Sequence, residues 1–194
     1  MPLLFSRSIA AIFAGATIIS AAASTHEVYV LDANHTLPMY QVTHMGLSQQ
    51  RGTFSGVSGK VVLDRAGRKG SIDVTISTAT VTSGLPRMVA ILKGEDLFNV
   101  EKFPTMTYKS TQLQFDNDRP IGATGELTLL GVSRPVDLTI TDFKCGPHPF
   151  NKRNMCGGEA TATIKRSEFG MKYGIPVAAS DEVRIVIPFE GMQQ

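Results

Sequence analysis

Apolar and polar residues alternate through most of the chain. Ile72, Val74 and Ile76 alternate with Asp73 and Thr75, and Val136, Leu138 and Ile140 with Asp137, Thr139 and Thr141. Ala160, Ala162 and Ile164 alternate with Glu159, Thr161 and Thr163. Val183, Ile185, Ile187 and Phe189 alternate with Arg184 and, less cleanly, with Val186. A period of two puts one row of side chains on each face of a strand. Further strands are predicted at 28–31, 39–44, 53–63, 105–115 and 123–130. Within 105–115 the apolar parity switches from Met106 and Tyr108 to Leu113 and Phe115, which predicts a bulge or register break between them.

Turn residues punctuate the pattern at 64–70, 116–120 and 131–135. Connections this short favour antiparallel hairpins. Segment 85–93 departs from it and predicts a short helix, with Pro86 tolerated in the first turn. Leu97, Phe98, Val100 and Phe103 follow as an apolar, irregular link. About eight or nine strands with one apolar row each must close into a barrel or stack as a sandwich. The chain has no Trp, ten Phe and 18 Gly, so its apolar rows are modest in size. That composition fits a partly hollow barrel and a filled sandwich equally well.

The first 23 residues read differently. Arg7 is their only charge, an apolar run covers 9–19, and small residues occupy 20–24. This is the make-up of a secretory signal peptide cleaved after Ala23, leaving one domain over 24–194. The alternative, an uncleaved anchor, is short for about 30 Å of hydrocarbon. No other stretch could span a bilayer, so no membrane span is expected after cleavage. Without Arg7, 18 Lys and Arg face 17 Asp and Glu, a balance that argues against nucleic acid as a partner. Cys145 and Cys156 bracket a turn-rich segment between two alternating stretches. A disulfide at the neck of a hairpin fits an oxidising compartment, and a metal site using Cys145, His148 and Cys156 is the sharper alternative. An exported chain without a dense cluster of catalytic residue types looks like a container, which favours binding over catalysis.

Several segments together resemble the YceI-like family. They are Tyr29-Val30-Leu31-Asp32-Ala33-Asn34-His35-Thr36, Val42-Thr43-His44-Met45-Gly46, Gly52-Thr53-Phe54-Ser55-Gly56, Leu97-Phe98-Asn99-Val100-Glu101-Lys102-Phe103-Pro104, 125–136 and 164–171. The resemblance implies an all-β fold, an eight-stranded antiparallel lipocalin-like barrel with a short helix and irregular insert. It implies a periplasmic or secreted carrier of a polyisoprenoid or other long-chain amphiphile, with no shared catalytic machinery and no cofactor. Many relatives have an Arg-Asp-x-His-Leu-like stretch where this chain has Arg87-Met88-Val89-Ala90-Ile91-Leu92, so it lacks that acidic residue and histidine. The Cys145–Cys156 loop marks a subgroup of exported relatives and supports the disulfide.

On this reading the cavity wall is expected to use Val57, Val61, Ile72, Val74, Leu127, Leu129, Val136, Leu138 and Ile140. Leu97, Phe98 and Phe103 are expected as a lid or rim. Burying each CH₂ of a ligand contributes about 0.8 kcal/mol, so such a wall binds a long tail without polar contacts. The rival readings are an enzyme of the same fold using His35, His44 or Asp32, and a filled-barrel interaction module for a membrane redox partner. His35 and His44 could ligate a metal or grip a head group, or they could fix a turn and a strand end. Arg166 could hold a diphosphate or pair within a turn. No catalytic residue and no metal are expected. An exposed edge or the link after Gly94 could support a homodimer.

Overall fold

A computed structural model describes residues 26–194. The expected signal peptide over 1–23 and its cleavage point lie outside the described residues.

Ten strands form one antiparallel sheet. They are β1 (Glu27–Leu31), β2 (Met39–His44), β3 (Ser48–Thr53), β4 (Val57–Asp64), β5 (Lys69–Ser77), β6 (Thr105–Asp116), β7 (Arg119–Leu129), β8 (Val132–Pro147), β9 (Asn154–Lys165) and β10 (Ala179–Gln193). The order β1-β4-β5-β6-β7-β8-β9-β10 closes on itself through a β1–β10 ladder, giving a closed eight-stranded barrel. The hairpin β2–β3 continues the wall beyond β1 and β4. β10 is long enough to pair with β1 through residues 191–193 and with β2 through residues 179–186. Closure is what distinguishes this fold from a sandwich: no strand edge remains along the closed part of the wall.

The bend between β1 and β2 is tied to the stretch of β10 left over between those two ladders. The Asp32 amide donates to the Glu190 carbonyl at 2.9 Å, and the Thr36 hydroxyl donates to the same oxygen at 3.2 Å. Above β4 the wall has a gap, because β3 pairs with β2 but not with β5. The 78–104 insert fills it. The Thr82 amide donates to the Thr53 carbonyl at 2.8 Å, and the Tyr40 hydroxyl donates to the Thr82 carbonyl at 3.2 Å. The insert carries α1 (Pro86–Lys93), with Pro86 in its first turn as its sequence predicts.

Two bulges keep apolar rows pointing inward. In β6 the register shifts between Ser110 and Gln112 and again between Gln114 and Phe115, which reconciles Tyr108 with Leu113. In β8 a shift between Thr141 and Lys144, with Asp142 at positive φ, moves the inward row from Ile140 to Phe143. Two details differ from the sequence expectation. The expected strand over 53–63 is broken at 54–56: residues 57–63 lie in β4, and Thr53 alone ends β3, a strand too polar to announce itself. The turn expected at 131–135 sits one step earlier, at Leu130-Gly131, both at positive φ. Pro135 is therefore inside β8, opposite Glu126 and exposed. Cys145 and Cys156 face each other across the β8–β9 ladder and form a disulfide, so neither is available to a metal.

Candidate functional site

Strand direction sorts the barrel into two ends. The 45–47 and 130–131 turns, the 78–104 insert and the 166–178 loop share one end. The 65–68 and 117–118 turns, the β8–β9 hairpin tip and the C-terminus share the other. A cavity of about 490 Å³ runs between them, within the size range of small-molecule sites. Near the first end it is lined by His44, Gln50, Arg51, Leu85 and Tyr173; deep in the barrel it reaches Leu113, Pro120 and Phe143. Between these levels the wall is mostly apolar, aliphatic side chains mixed with aromatic ones such as Phe54, Tyr108 and Phe189.

Ten of the residues expected at the wall or lid do line this cavity: Val57, Val61, Ile72, Val74, Leu97, Phe98, Leu127, Leu129, Leu138 and Ile140. Two do not. Val136 is buried in the core cluster, with its carbonyl oxygen engaged by the Tyr108 hydroxyl. Phe103 packs beside Gly131 and under the Lys102 ammonium, 5.4 Å from the ring centre, and its carbonyl accepts from Thr78 at 2.6 Å. It braces the insert from outside the cavity. The lining also includes Met106, Tyr108, Ala160, Ile164, Val183, Ile185, Ile187 and Phe189, which the strand pattern marks as apolar rows. Only closure of the barrel brings them opposite the predicted wall.

Helix α1 gives the cavity a wholly apolar cover. Leu85, Met88, Ile91 and Leu92 all line it, at the spacing that places side chains on one helical face. Phe98 meets Phe54 edge-on, with ring centres 5.3 Å apart, and so locks the link below the helix. Tyr108 lies across the inner wall. Its hydroxyl donates to the carbonyls of Val136 at 2.9 Å and Ala123 at 3.4 Å, and burial, helped by Asp137, pushes its pKa up to about 12.

Arg166 lines the upper cavity yet is only 5% exposed. Its guanidinium donates to four backbone carbonyls, those of Ser180 (2.9 Å), Tyr173 (2.9 Å), Met171 (3.3 Å) and Ala179 (3.3 Å). Burial pulls its pKa below the ordinary arginine value, against the pull of Asp181. Most of its donor capacity of five N–H groups is thus spent on the 171–180 backbone. The neighbouring carboxylate of Asp181 instead accepts from the Ser167 amide and hydroxyl, at 2.9 and 2.7 Å.

The two histidines singled out in the sequence are not brought together. His44 lines the cavity mouth. His35 sits at the β1–β2 bend, its Nδ1 2.8 Å from Asp32 and 3.8 Å from Glu190, so its partners are carboxylates rather than a hydroxyl or thiol. Hydrogen bonding to Asp32 raises the His35 pKa and lowers that of Asp32. Asp32, His35 and Glu190 offer ligand atoms within 4.8 Å of one another, but the group is not on the cavity lining.

This geometry can be set beside known proteins. A family profile described as "YceI-like domain" matches residues 29–191. The chain is 31% identical over 180 residues to "Protein YceI" of Escherichia coli O157:H7, covering 91% of this chain and 93% of that one. The chain belongs to the YceI-like family. The YceI-like barrel recurs in the crystal structure of Burkholderia cenocepacia BcnA, with a TM-score of 0.67, 23% identity, and 82% and 98% of the two chains covered. It also recurs in a structure described as a polyisoprenoid binding domain from Saccharophagus degradans, with a TM-score of 0.61 and 15% identity over 86% and 98% of the chains. Both likenesses speak to the fold. Among the described residues of this YceI-like chain, no helix is long and apolar enough to cross a membrane.

Proposed function

We propose that this protein binds a polyisoprenoid or another long-chain amphiphile in the barrel and carries or buffers it in the periplasm. The observation that carries the reading is the cavity itself. It reaches from the mouth to the level of Leu113 and Phe143, its lining is mostly aliphatic and aromatic, and His44, Gln50, Arg51 and Arg166 lie near one end, which matches a ligand with a long tail and a small head. Val57, Val61, Ile72, Val74, Leu127, Leu129, Leu138 and Ile140 would contact the tail, with Leu97 and Phe98 over it. Val136 would act by filling the wall behind them and Phe103 by bracing the insert. His44, Gln50, Arg51 and Tyr173 stand where a head group would emerge. The family relationship supports the same reading, as does the binding named for the S. degradans neighbour.

The export assignment rests on the leader-like residues 1–23 and on the Cys145–Cys156 disulfide, which persists in oxidising compartments. Catalysis is no part of the proposal, because His35 and His44 stand apart and His35 is occupied by Asp32 and Glu190. An open cavity also counts against a filled-barrel module.

Native mass spectrometry of protein purified without detergent tests the reading. A co-purified lipid, or stoichiometric uptake of a prenyl or fatty-acyl probe, is the expected result. Uniformly empty protein that takes up neither probe would overturn it.

A further inference from the structure

We infer that the cavity mouth docks on an anionic lipid bilayer, so that a ligand passes between membrane and barrel without crossing water. The inference rests on the lipid-carrier reading and adds the surface through which loading occurs.

Nine large hydrophobic side chains are conspicuously exposed among the described residues, and six of them ring one end of the barrel. Met45 and Leu47 occupy the β2–β3 turn, Leu85 and Ile91 belong to the insert, and Tyr173 and Val177 lie in the loop before β10. Leu47 is 87% exposed and Val177 77%. These segments are contiguous around the mouth. The Met45 amide donates to the Ala178 carbonyl at 3.2 Å, and Ala179 pairs with His44. Leu85, Ile91 and Tyr173 line the cavity while remaining exposed, so the apolar lining spills over its own rim.

The chemistry of the β2–β3 turn runs against solubility. Met45 and Gly46 both have positive φ, 50° and 69°. Asn-Gly or Asp-Gly is the usual solution at such a pair. Here a long apolar side chain takes the strained position, with Leu47 immediately after it. Backbone strain held at an exposed tip points to a function for the side chain it displays.

Charge decides which occupant the rim fits. Residues 44–51, 82–92 and 170–179 contain Arg51, Arg87 and Lys172 and no Asp or Glu. The tips that carry the six exposed side chains thus bear three cations and no acid, while the exposed Glu95, Asp96, Glu101 and Glu168 lie outside them, farther along the insert and before Gly170. Apolar tips backed by basic side chains suit an anionic bilayer: the tips enter the acyl boundary while the cations meet head groups.

Vesicle flotation tests this on protein purified in the form an exporting bacterial host leaves it. The vesicles are phosphatidylglycerol with phosphatidylethanolamine, and pure phosphatidylcholine for comparison. The Leu47→Asp/Val177→Asp variant is compared in the same form, so any contribution from residues 1–25 cancels. Neither substituted residue lines the cavity. The expected result is flotation with the anionic vesicles, weakened by salt and by phosphatidylcholine, and at least tenfold less flotation of the variant. Probe uptake from solution, read by native mass spectrometry, stays unchanged in that variant. Equal flotation of the two proteins, or none of the parent at low salt, would overturn the docking proposal. So would a parent dimer that the variant splits without any vesicle binding, since the rim's occupant would then be a second copy. Loss of probe uptake by the parent itself would instead sink the carrier reading.

Discussion

Gly125 lies beneath the Tyr108 ring, and its missing Cβ lets the Tyr108 hydroxyl reach across β7 to the Val136 carbonyl on β8. A Cβ built on Gly125 would stand 2.5 Å from that hydroxyl oxygen and 2.6 Å from the Lys109 carbonyl oxygen. Tyr108 is thereby laid flat against the wall, bracing three strands while leaving the cavity open. Gly125→Ala is expected to cost about 1–3 kcal/mol through overpacking. At roughly 2–4 °C per kcal/mol for a domain this size, the melting temperature falls by about 2–12 °C. Repeating the substitution in a Tyr108→Leu background, read by thermal unfolding, should recover part of that cost. An identical cost in both backgrounds would place the constraint on Lys109 alone.

The same tyrosine sets a pH dependence. Its pKa rises from 10.0 to about 12 in the folded chain, first because burial disfavours the phenolate and second because Asp137 is near. The folded state therefore holds the proton more tightly than the unfolded state. The resulting stability is complete below pH 10 and is lost as pH rises from 10 towards 12. Denaturant midpoints measured across that interval should fall more steeply for the parent than for Tyr108→Phe. Parallel profiles would mean that Tyr108 does not titrate late.

Arg166 organises the cavity's upper rim through the backbone rather than by gripping a ligand. Arg166→Met strands the carbonyls of Met171, Tyr173, Ala179 and Ser180, and hydrogen bonds to a charged donor are worth about 1.5–3 kcal/mol each. The variant is expected to lose at least about 3 kcal/mol of stability, with faster hydrogen exchange concentrated in 171–181. Arg166→Lys should restore only part, because a single ammonium cannot reproduce a planar fork. Unchanged exchange in that loop would contradict the clip.

The elements announced themselves where one face was buried. Alternation marked the long strands, Leu85-Pro86 marked the helix, and the parity switch between Tyr108 and Leu113 marked the β6 bulge. β3 escaped because Ser-Gln-Gln-Arg-Gly-Thr carries no apolar row: its outer residues face solvent and Gln50 and Arg51 face the mouth. The cavity was legible only as a set of rows. Val136 and Leu138 have the same sequence signature, yet Leu138 borders the void and Val136 is packed behind Tyr108, a contact between strands distant in sequence. Phe103 looked like lid material by its neighbours, but the Leu130-Gly131 turn claims its ring. Ala160 and Ile187 were visible as inward residues of their strands, and only barrel closure turns them towards Ile72.

Tail length should be read by the tunnel as a ruler. Along an aliphatic wall each added methylene contributes about 0.8 kcal/mol, close to a fourfold gain in affinity, for as long as it enters the barrel. Beyond the level of Leu113 and Phe143 the lining ends, so further carbons stay in water and add nothing. Titrating a homologous series of acyl or prenyl probes should give a linear rise in binding free energy followed by a plateau. Ala160 is 5% exposed and lines the cavity between Ile140 and Ile187. Ala160→Phe puts a ring into that level and should move the plateau to shorter tails while leaving the affinity for the shortest probes unchanged. A uniform loss across the series would mean that the substitution damaged the fold. A plateau that stays in place would mean that tails do not run past Ala160.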